Sequence, residues 1–163
     1  MKKICVGFNI IDILYIMIYE LLSIGDTTLD TFLKLDKDEA EVLTVVKHDE
    51  KQLCFNYADK IPVAQRDETI GGNAANAAVA GARLGINTAL WTVMGNDLVY
   101  QQAKSHFGKE GVALDYVVVD DKIQSDMSTV INYQGERTIL SYKEPKNYQL
   151  PNFEKLDWIY LTS

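Results

Sequence analysis

A run rich in glycine, asparagine and alanine at residues 71–85 constrains the fold of this chain more than any other part of its sequence. The adjacent Gly71 and Gly72 allow a strand to turn sharply, because glycine adopts positive φ without steric cost. The alanine-rich segment that follows predicts a helix over residues 74–84, whose small side chains allow close packing on a sheet. Gly85 stands where a helix favours a positive φ after its last turn. The pattern therefore predicts a strand, a sharp turn and a closely packed helix.

Two asparagines lie one helical turn apart where this helix is predicted to begin. We expect Asn73 to be the N-cap and Asn76 to follow on the same face of the helix. A side-chain amide offers two donors and one acceptor, which suits adjacent hydroxyl groups better than a charged group does. Together with backbone N–H groups exposed by Gly71 and Gly72, these residues predict a site for a small neutral polyol. The alternative is that the Gly-Gly-Asn sequence only turns and caps the chain.

The glycine pattern does not match the common nucleotide-binding motifs. A dinucleotide fingerprint needs G-x-G-x-x-G after a strand, and a P-loop needs G-x-x-x-x-G-K followed by Ser or Thr. Neither motif occurs in the sequence. We therefore expect no cradle for a triphosphate in this chain.

Composition and charge exclude several classes of protein. A chain of 163 residues with 47% hydrophobic content can bury one sizeable core. The net charge of −7 disfavours nucleic acid and anionic membranes as partners and favours a cytoplasmic protein. Cys5 and Cys54, with His48 and His106, have no metal-ligand spacing, so we expect neither a metal site nor a disulfide framework.

The N-terminal apolar run, residues 4–18, superficially resembles a signal peptide. Asn9 and Asp12 interrupt it and no small-residue cleavage site follows, so we predict no targeting segment and no membrane span. Residues 7–12 and 25–30 both place an Asp five residues after a Gly, so each could follow the first strand of the fold. We favour the second, with Met17 as a plausible start and residues 1–16 as an extension of doubtful origin.

The remaining patterns alternate between strands and helices. We predict a turn at residues 25–30, and we predict strands at residues 19–24, 43–46, 52–56, 88–93, 116–119, 129–133, 138–142 and 158–161. A second helix is predicted at residues 98–110, with Asp97 as its N-cap and Gly111 after its end. Strands joined through helices indicate a parallel sheet, whereas the two hairpin-like pieces, 43–56 and 129–142, indicate a separate small sheet.

The arrangement from Gly71 to Gly95 closely resembles the N-terminal signature of the ribokinase-like (PfkB-type) carbohydrate kinases. The resemblance extends over about residues 19–163. It implies an α/β fold, a ribokinase-like sandwich with a central, mostly parallel sheet and a small β-sheet lid. Residues 17–163 would be the N-terminal part of such a domain, with lid segments at about residues 31–70 and 125–143.

The same resemblance implies a set of sugar contacts. Asp30 matches the family aspartate that grips sugar hydroxyls, and Thr28 lies where a second polar contact often occurs. A carboxylate that accepts bonds from two adjacent hydroxyls holds a diol strongly and in one orientation. The predicted substrate-binding residues are Thr28, Asp30, Gly71, Gly72, Asn73 and Asn76. In the competing alignment Asp12 takes the place of Asp30.

The sequence departs from the family pattern downstream. Family members carry their general base and anion-stabilising helix in a Gly-Ala-Gly-Asp-type motif, which this sequence lacks. ATP and Mg²⁺ are the expected cofactors of the full-length family, but we predict no site for either, and no catalytic residue, in this chain. We therefore expect an inactive N-terminal part of a sugar kinase that keeps the sugar-binding segment. The alternatives are a non-catalytic polyol-binding or regulatory module and a structural fragment that completes its sheet with another chain.

The expected partners follow from the same features. The ligand should be a small-molecule sugar or polyol, and we expect neither nucleic acid nor membrane as a partner. A sheet cut after residues 158–161 would expose an edge and apolar side chains, which favours self-association. A homodimer through the lid is a second possibility.

Overall fold

A computed structural model describes residues 19–36, 38, 41–45, 50–153 and 156–162. Within them the chain forms strands and two helices. In chain order the strands β1–β11 are Leu21–Ile24, Thr28–Lys34, Glu41–Val45, Glu50–Cys54, Gln65–Gly71, Thr88–Trp91, Val93–Gly95, Val118–Asp120, Asp126–Tyr133, Glu136–Tyr142 and Trp158–Leu161. Helices α1 (Asn73–Arg83) and α2 (Leu98–Glu110) follow β5 and β7. The mixed α/β fold predicted from the sequence is confirmed.

The core sheet consists of three parallel strands in the order β11-β1-β6. Its two faces are covered by separate apolar clusters, because successive side chains of a strand point to opposite sides. Leu90 packs towards the helices with Ala78 and Phe107. Its neighbour Trp91 packs on the other face with Leu22. A parallel sheet needs both faces covered, and the alternation within β6 supplies one side chain to each cluster.

Helix α1 lies very close to the core sheet. A Cβ placed on Gly81 would lie 2.7 Å from the Thr88 hydroxyl and 2.9 Å from Leu21 Cδ2. Near the helix start, the Ser23 hydroxyl donates to the Ala74 carbonyl at 2.7 Å. Helix α1 can therefore lie this close to the sheet only because its residues are small, mostly alanine and glycine.

The lid sheet consists of four strands in the order β10-β9-β2-β5. Strand β2 pairs in parallel with β9 and antiparallel with β5, and β9 and β10 form an antiparallel hairpin. The hairpin of β3 and β4 forms a two-stranded sheet of its own. The prediction of two hairpins in one small sheet is therefore wrong, because β2 and β5 occupy the place expected for β3 and β4.

The predicted turn at residues 25–30 is also wrong in its second half, since β2 begins at Thr28. A glycine followed by Asp and Thr does indicate a turn here, but the turn ends three residues earlier than expected. The predicted strand at residues 88–93 is divided into β6 and β7 by Thr92, and the strand predicted at residues 116–119 is shifted to β8.

Both predicted helices are confirmed, but one predicted cap is wrong. Gly72, with φ 98°, is the N-cap of α1, and Asn73 is the first residue of the helix. The sharp turn through Gly72 already sets the helix entry, so Asn73 is not needed as a cap. In α2 the Asp97 side chain accepts a bond from the Tyr100 N–H, as predicted. Gly111 follows α2 with φ 75°.

Two sequence predictions lie outside the described residues. The alternative first strand with Asp12 belongs to residues 1–18, and the connection within the predicted hairpin 43–56 includes residues 46–49. Among the helices of the described part of the chain, none is long and apolar enough to cross a membrane.

Two helical glycines allow the close packing of α1 to be tested. We expect Gly81→Ala to destabilise the chain by about 1–3 kcal/mol, because the new methyl group meets Thr88 and Leu21. The matched control is Gly108→Ala in α2, where a Cβ would meet nothing within 4 Å. This change should stabilise the chain by roughly 0.5–1 kcal/mol, since alanine is the better helix former. Urea unfolding of both variants measures the difference, and equal shifts would contradict the packing argument.

Candidate functional site

Asp30 lies in the lid sheet, beside the glycine pair. The Thr28 hydroxyl donates to Asp30 Oδ1 at 2.8 Å, which fixes the half-buried carboxylate. A Cβ placed on Gly71 would lie only 2.2 Å from Asp30 Oδ2. The carboxylate therefore rests over the bare backbone of Gly71, at a position that any other residue would fill.

Gly72 brings the start of α1 against the connection between β1 and β2. A Cβ on Gly72 would lie 2.3 Å from the Asp26 carbonyl oxygen, and its φ of 98° is strained for other residues. The two adjacent positions thus require glycine for different reasons. Gly71 makes room for a side chain, and Gly72 makes room for a backbone carbonyl and supplies the turn.

The two asparagines of α1 are both exposed, but they have different surroundings. Asn73 Nδ2 donates to the Thr162 hydroxyl at 3.4 Å, at the end of β11. Asn76 lines a cavity of about 360 Å³ with Thr69, Ile70 and other residues of α1 and α2. Thr28 and Asp30 do not line this cavity. That Asn76 faces the Asp30 carboxylate stays a prediction.

Strand register adds further polar side chains to the face of the lid sheet that carries Asp30. Residues directly opposite one another on paired strands share a face. Asp30 is opposite Thr69 on β5 and Ser128 on β9, and Thr28 is opposite Asp126. The structure therefore brings Thr28, Asp30 and Gly71 together, with hydroxyl groups on both neighbouring strands.

Two lysine–aspartate pairs lie beside this group and were not predicted from the sequence. Lys146 Nζ is 2.5 Å from Asp126 Oδ2, and the two side chains are only 1% and 2% exposed. Lys143 Nζ is 2.5 Å from Asp26 Oδ2, with the lysine side chain 54% exposed. The lysines precede and follow Pro145, immediately after β10, but nothing in that local pattern indicates their distant partners.

The pKa values of two side chains in this region, Lys143 and Tyr148, are raised. The hydrogen bond to Asp26 is the main reason that the pKa of Lys143 lies above its ordinary value. Burial raises the pKa of the Tyr148 hydroxyl, and the nearby carboxylates Asp26 and Asp126 raise it further. Both effects keep Lys143 charged and Tyr148 protonated at neutral pH.

Asp97, the N-cap of α2, binds Ser125, which directly precedes strand β9 of the lid sheet. Its Oδ2 accepts from the Ser125 N–H at 2.8 Å, and its Oδ1 accepts from the Ser125 hydroxyl at 2.9 Å and the Tyr100 N–H at 3.0 Å. Burial alone would raise the pKa of Asp97, but these hydrogen bonds outweigh it and lower the pKa. The ionised carboxylate is therefore part of the folded structure.

The described residues do not fit a metal site. None of their His, Cys, Asp and Glu side chains form a group of three or more that could hold a metal ion. The chemistry that the arrangement can carry out is the binding of hydroxyl groups by a carboxylate, hydroxyls and amides.

Comparison with known proteins assigns a family to the sequence. The family model described as pfkB family carbohydrate kinase matches residues 40–163. A search of curated protein sequences finds no match.

Solved structures with the same fold include ribokinases and fructokinases. The ribokinase of Arabidopsis thaliana complexed with ribose and ATP is 20% identical, with a TM-score of 0.60 over 77% of this chain and 36% of its own. The fructokinase of Xylella fastidiosa with bound ATP is 24% identical, with a TM-score of 0.54 over 77% and 34%. The ribokinase of Cryptococcus neoformans var. grubii serotype A in complex with ADP is 21% identical, with a TM-score of 0.57 over 76% and 34%. This chain thus spans about a third of their length.

The hydrogen bonds to Asp97 predict a pH dependence of stability. Because its folded-state pKa is lowered, Asp97 contributes stability that is fully present above its unfolded pKa of about 4 and is lost as pH falls through the folded value. We expect Asp97→Ala to cost about 1–2 kcal/mol at pH 7, as loss of a helix cap does, and less at pH 2–3.

Urea unfolding of the wild type and Asp97→Ala at both pH values measures this difference. The control is Asp59→Ala, at an exposed position, which should change the stability by less than about 0.5 kcal/mol. A cost of Asp97→Ala that stays constant between pH 7 and the acidic range would contradict the prediction.

Proposed function

Because this chain belongs to the pfkB family of carbohydrate kinases, we propose that it binds the sugar substrate of such a kinase at the site around Asp30. The observation that carries the proposal is the contact among Asp30, Thr28 and Gly71. A carboxylate held by a neighbouring hydroxyl over bare backbone has oxygen lone pairs left for a ligand. The ribose named for the Arabidopsis thaliana ribokinase structure has the vicinal hydroxyls that such a group binds.

The carboxylate would bind two adjacent hydroxyl groups of the sugar. Hydrogen bonds from hydroxyls to an ionised carboxylate are short and about twice as strong as those between neutral groups. The bond from Thr28 holds Oδ1 in place, so the carboxylate is ordered before the ligand arrives. This pre-organisation lowers the entropic cost of binding and fixes the orientation of the sugar.

The start of α1 would supply the complementary contacts. Gly72 and Asn73 stand at the helix N-terminus, where backbone N–H groups and the helix dipole favour oxygen acceptors. Asn76 follows one turn later, and its amide can both donate to and accept from hydroxyls. Gly71 contributes by having no side chain. The six predicted substrate-binding residues would therefore have different roles. Asp30 would bind hydroxyl groups and Thr28 would hold Asp30 in place. The two glycines would leave room for the ligand, and the two asparagines would offer their amides.

Phosphoryl transfer is proposed only for a protein that carries an ATP-binding part in addition to these residues. In that reaction ATP would supply the phosphoryl group and Mg²⁺ would balance its charge. The described residues contribute the sugar contacts, and they do not fit a metal site. Binding without catalysis would correspond to the non-catalytic or regulatory role, and no binding would correspond to the purely structural one.

Replacement of Asp30 tests the sugar site directly. We expect Asp30→Asn to lower the affinity for the best-bound polyol about 10- to 100-fold, because it removes hydrogen bonds to a charged group. Isothermal titration with ribose, fructose, glucose and ribitol measures the affinity, and ligand-dependent thermal stabilisation supports it. The matched control is Asp67→Asn, an exposed carboxylate on the same face of the lid sheet, which should bind as the wild type does. Equal losses in both variants would argue against a specific site.

A second prediction concerns catalysis by the 163-residue chain alone. We expect no ADP release above background in a coupled assay with ATP, Mg²⁺ and the same four polyols. The physical reason is that no triphosphate cradle is predicted from the sequence and the described residues offer no metal cluster. Sugar-dependent ADP release that disappears in Asp30→Ala would show the prediction to be wrong.

A further inference from the structure

In the described part of the chain, four crossings connect the lid sheet with the core sheet, with α1 or with β8, and they meet beside the candidate sugar site. They are residues 25–27, Gly72, residues 121–125 and the segment 143–148 that follows β10. Lys143 binds the first crossing through Asp26, and Gly72 contacts the same crossing through its backbone. These contacts join the second and fourth crossings to the first beside the candidate sugar site.

The contact between Lys146 and Asp126 joins the segment 143–148 to the first residue of β9, which directly follows residues 121–125. Lys146 Nζ donates to Asp126 Oδ2 at 2.5 Å, and the Glu144 N–H donates to Asp126 Oδ1 at 3.4 Å. Both carboxylate oxygens are thus bonded from the segment 143–148. Removal of two charges from water is costly, so the pair is tolerated only in a geometry with its hydrogen bonds in place.

Asp126 stands next to the residues that hold Asp30. It is the register partner of Thr28 in the parallel pairing of β9 with β2, and Thr28 donates to Asp30. Because Asp126 is opposite Thr28 and Ser128 is opposite Asp30, Asp126 is a diagonal neighbour of Asp30 on one face of the sheet. An unpaired charge on Asp126 would repel the Asp30 carboxylate and compete with it for Thr28 and for ligand hydroxyls. Lys146 cancels that charge.

Resting on the proposed sugar site, we propose that Lys146 is a positioning residue that acts through Asp126 on Thr28 and Asp30. It contacts no ligand itself. It holds the start of β9 in register with β2 and directs the hydroxyl groups of the sugar to Asp30 rather than to Asp126. Lys143 does not share this role, because its side chain is 54% exposed and an ion pair with an exposed partner contributes little.

Polyol affinity of matched lysine variants tests the proposal. We expect Lys146→Met to bind the best polyol of the wild type about tenfold more weakly, although the residue is remote from the ligand. Lys143→Met, from the same segment, should stay within about twofold of the wild type. The double variant Asp126→Asn/Lys146→Met should recover most of the affinity, because it leaves no unpaired buried charge.

Two results would overturn the proposal. If Lys146→Met lowers the melting temperature but binds as the wild type does, the pair is only structural. A double variant that binds as poorly as Lys146→Met would also overturn the role of charge cancellation. If Lys146→Met does not fold, Lys146→Gln takes its place with the same expectation, since glutamine keeps a donor for Asp126 without the charge.

Hydrogen exchange separates this proposal from the proposed function. If the wild type binds none of the four polyols, the proposed function fails, and the positioning role is read from backbone protection instead. Lys146→Met should then accelerate amide exchange in peptides covering β2 and β9 and leave α2 unchanged. Unchanged exchange in β2 would overturn the positioning role.

Discussion

The absence of two Cβ atoms at Gly71 and Gly72 is the constraint on which the rest of the site depends. A Cβ at the first position would lie 2.2 Å from Asp30 Oδ2, and one at the second would lie 2.3 Å from the Asp26 carbonyl. Both contacts are shorter than real Cβ atoms allow, so either substitution must displace the neighbour. The glycine pair therefore decides how near the sugar anchor lies to the start of α1. It links a backbone property of the sequence directly to the geometry of a ligand site.

The lid sheet is joined to the core partly by apolar packing and partly by polar bonds. Leu29 and Ile70, at the base of the lid, belong to the same apolar cluster as the helices. At the same end of the lid, further connections are polar, through Asp97 to Ser125 and through Asp126 to Lys146. Apolar packing tolerates small rotations, whereas hydrogen bonds with fixed partners specify one orientation. The polar bonds thus explain how Thr28 and Asp30 can be held in a defined position relative to α1.

The sequence was sufficient for the helices and for the family, but it was not sufficient for the lid. Helices α1 and α2 follow from local signals, namely apolar periodicity, the Asp97 cap and the glycines that follow each helix. Strand β2 was partly predicted as a turn, because Thr and Asp alternate on a lid strand that is not fully buried. The Lys146–Asp126 pair joins residues 20 positions apart that meet only in the folded chain. Whether the six predicted residues bind sugar stays a prediction.

The candidate site draws its parts from distant segments of the chain, and this has a thermodynamic consequence. The anchor comes from β2, the glycines and amides from the start of α1, and the charge compensation from Asp126 and Lys146. In the unfolded chain these groups are apart, so a sugar that binds all of them binds only the folded arrangement of lid and core. By linkage, ligand binding and formation of the lid must stabilise each other. Asp30 and Asp126 would repel each other in that arrangement, and the buried Lys146 supplies the positive charge that offsets this repulsion. Lys146 therefore belongs to the energetics of the sugar site even though it lies outside the residues that would contact the sugar.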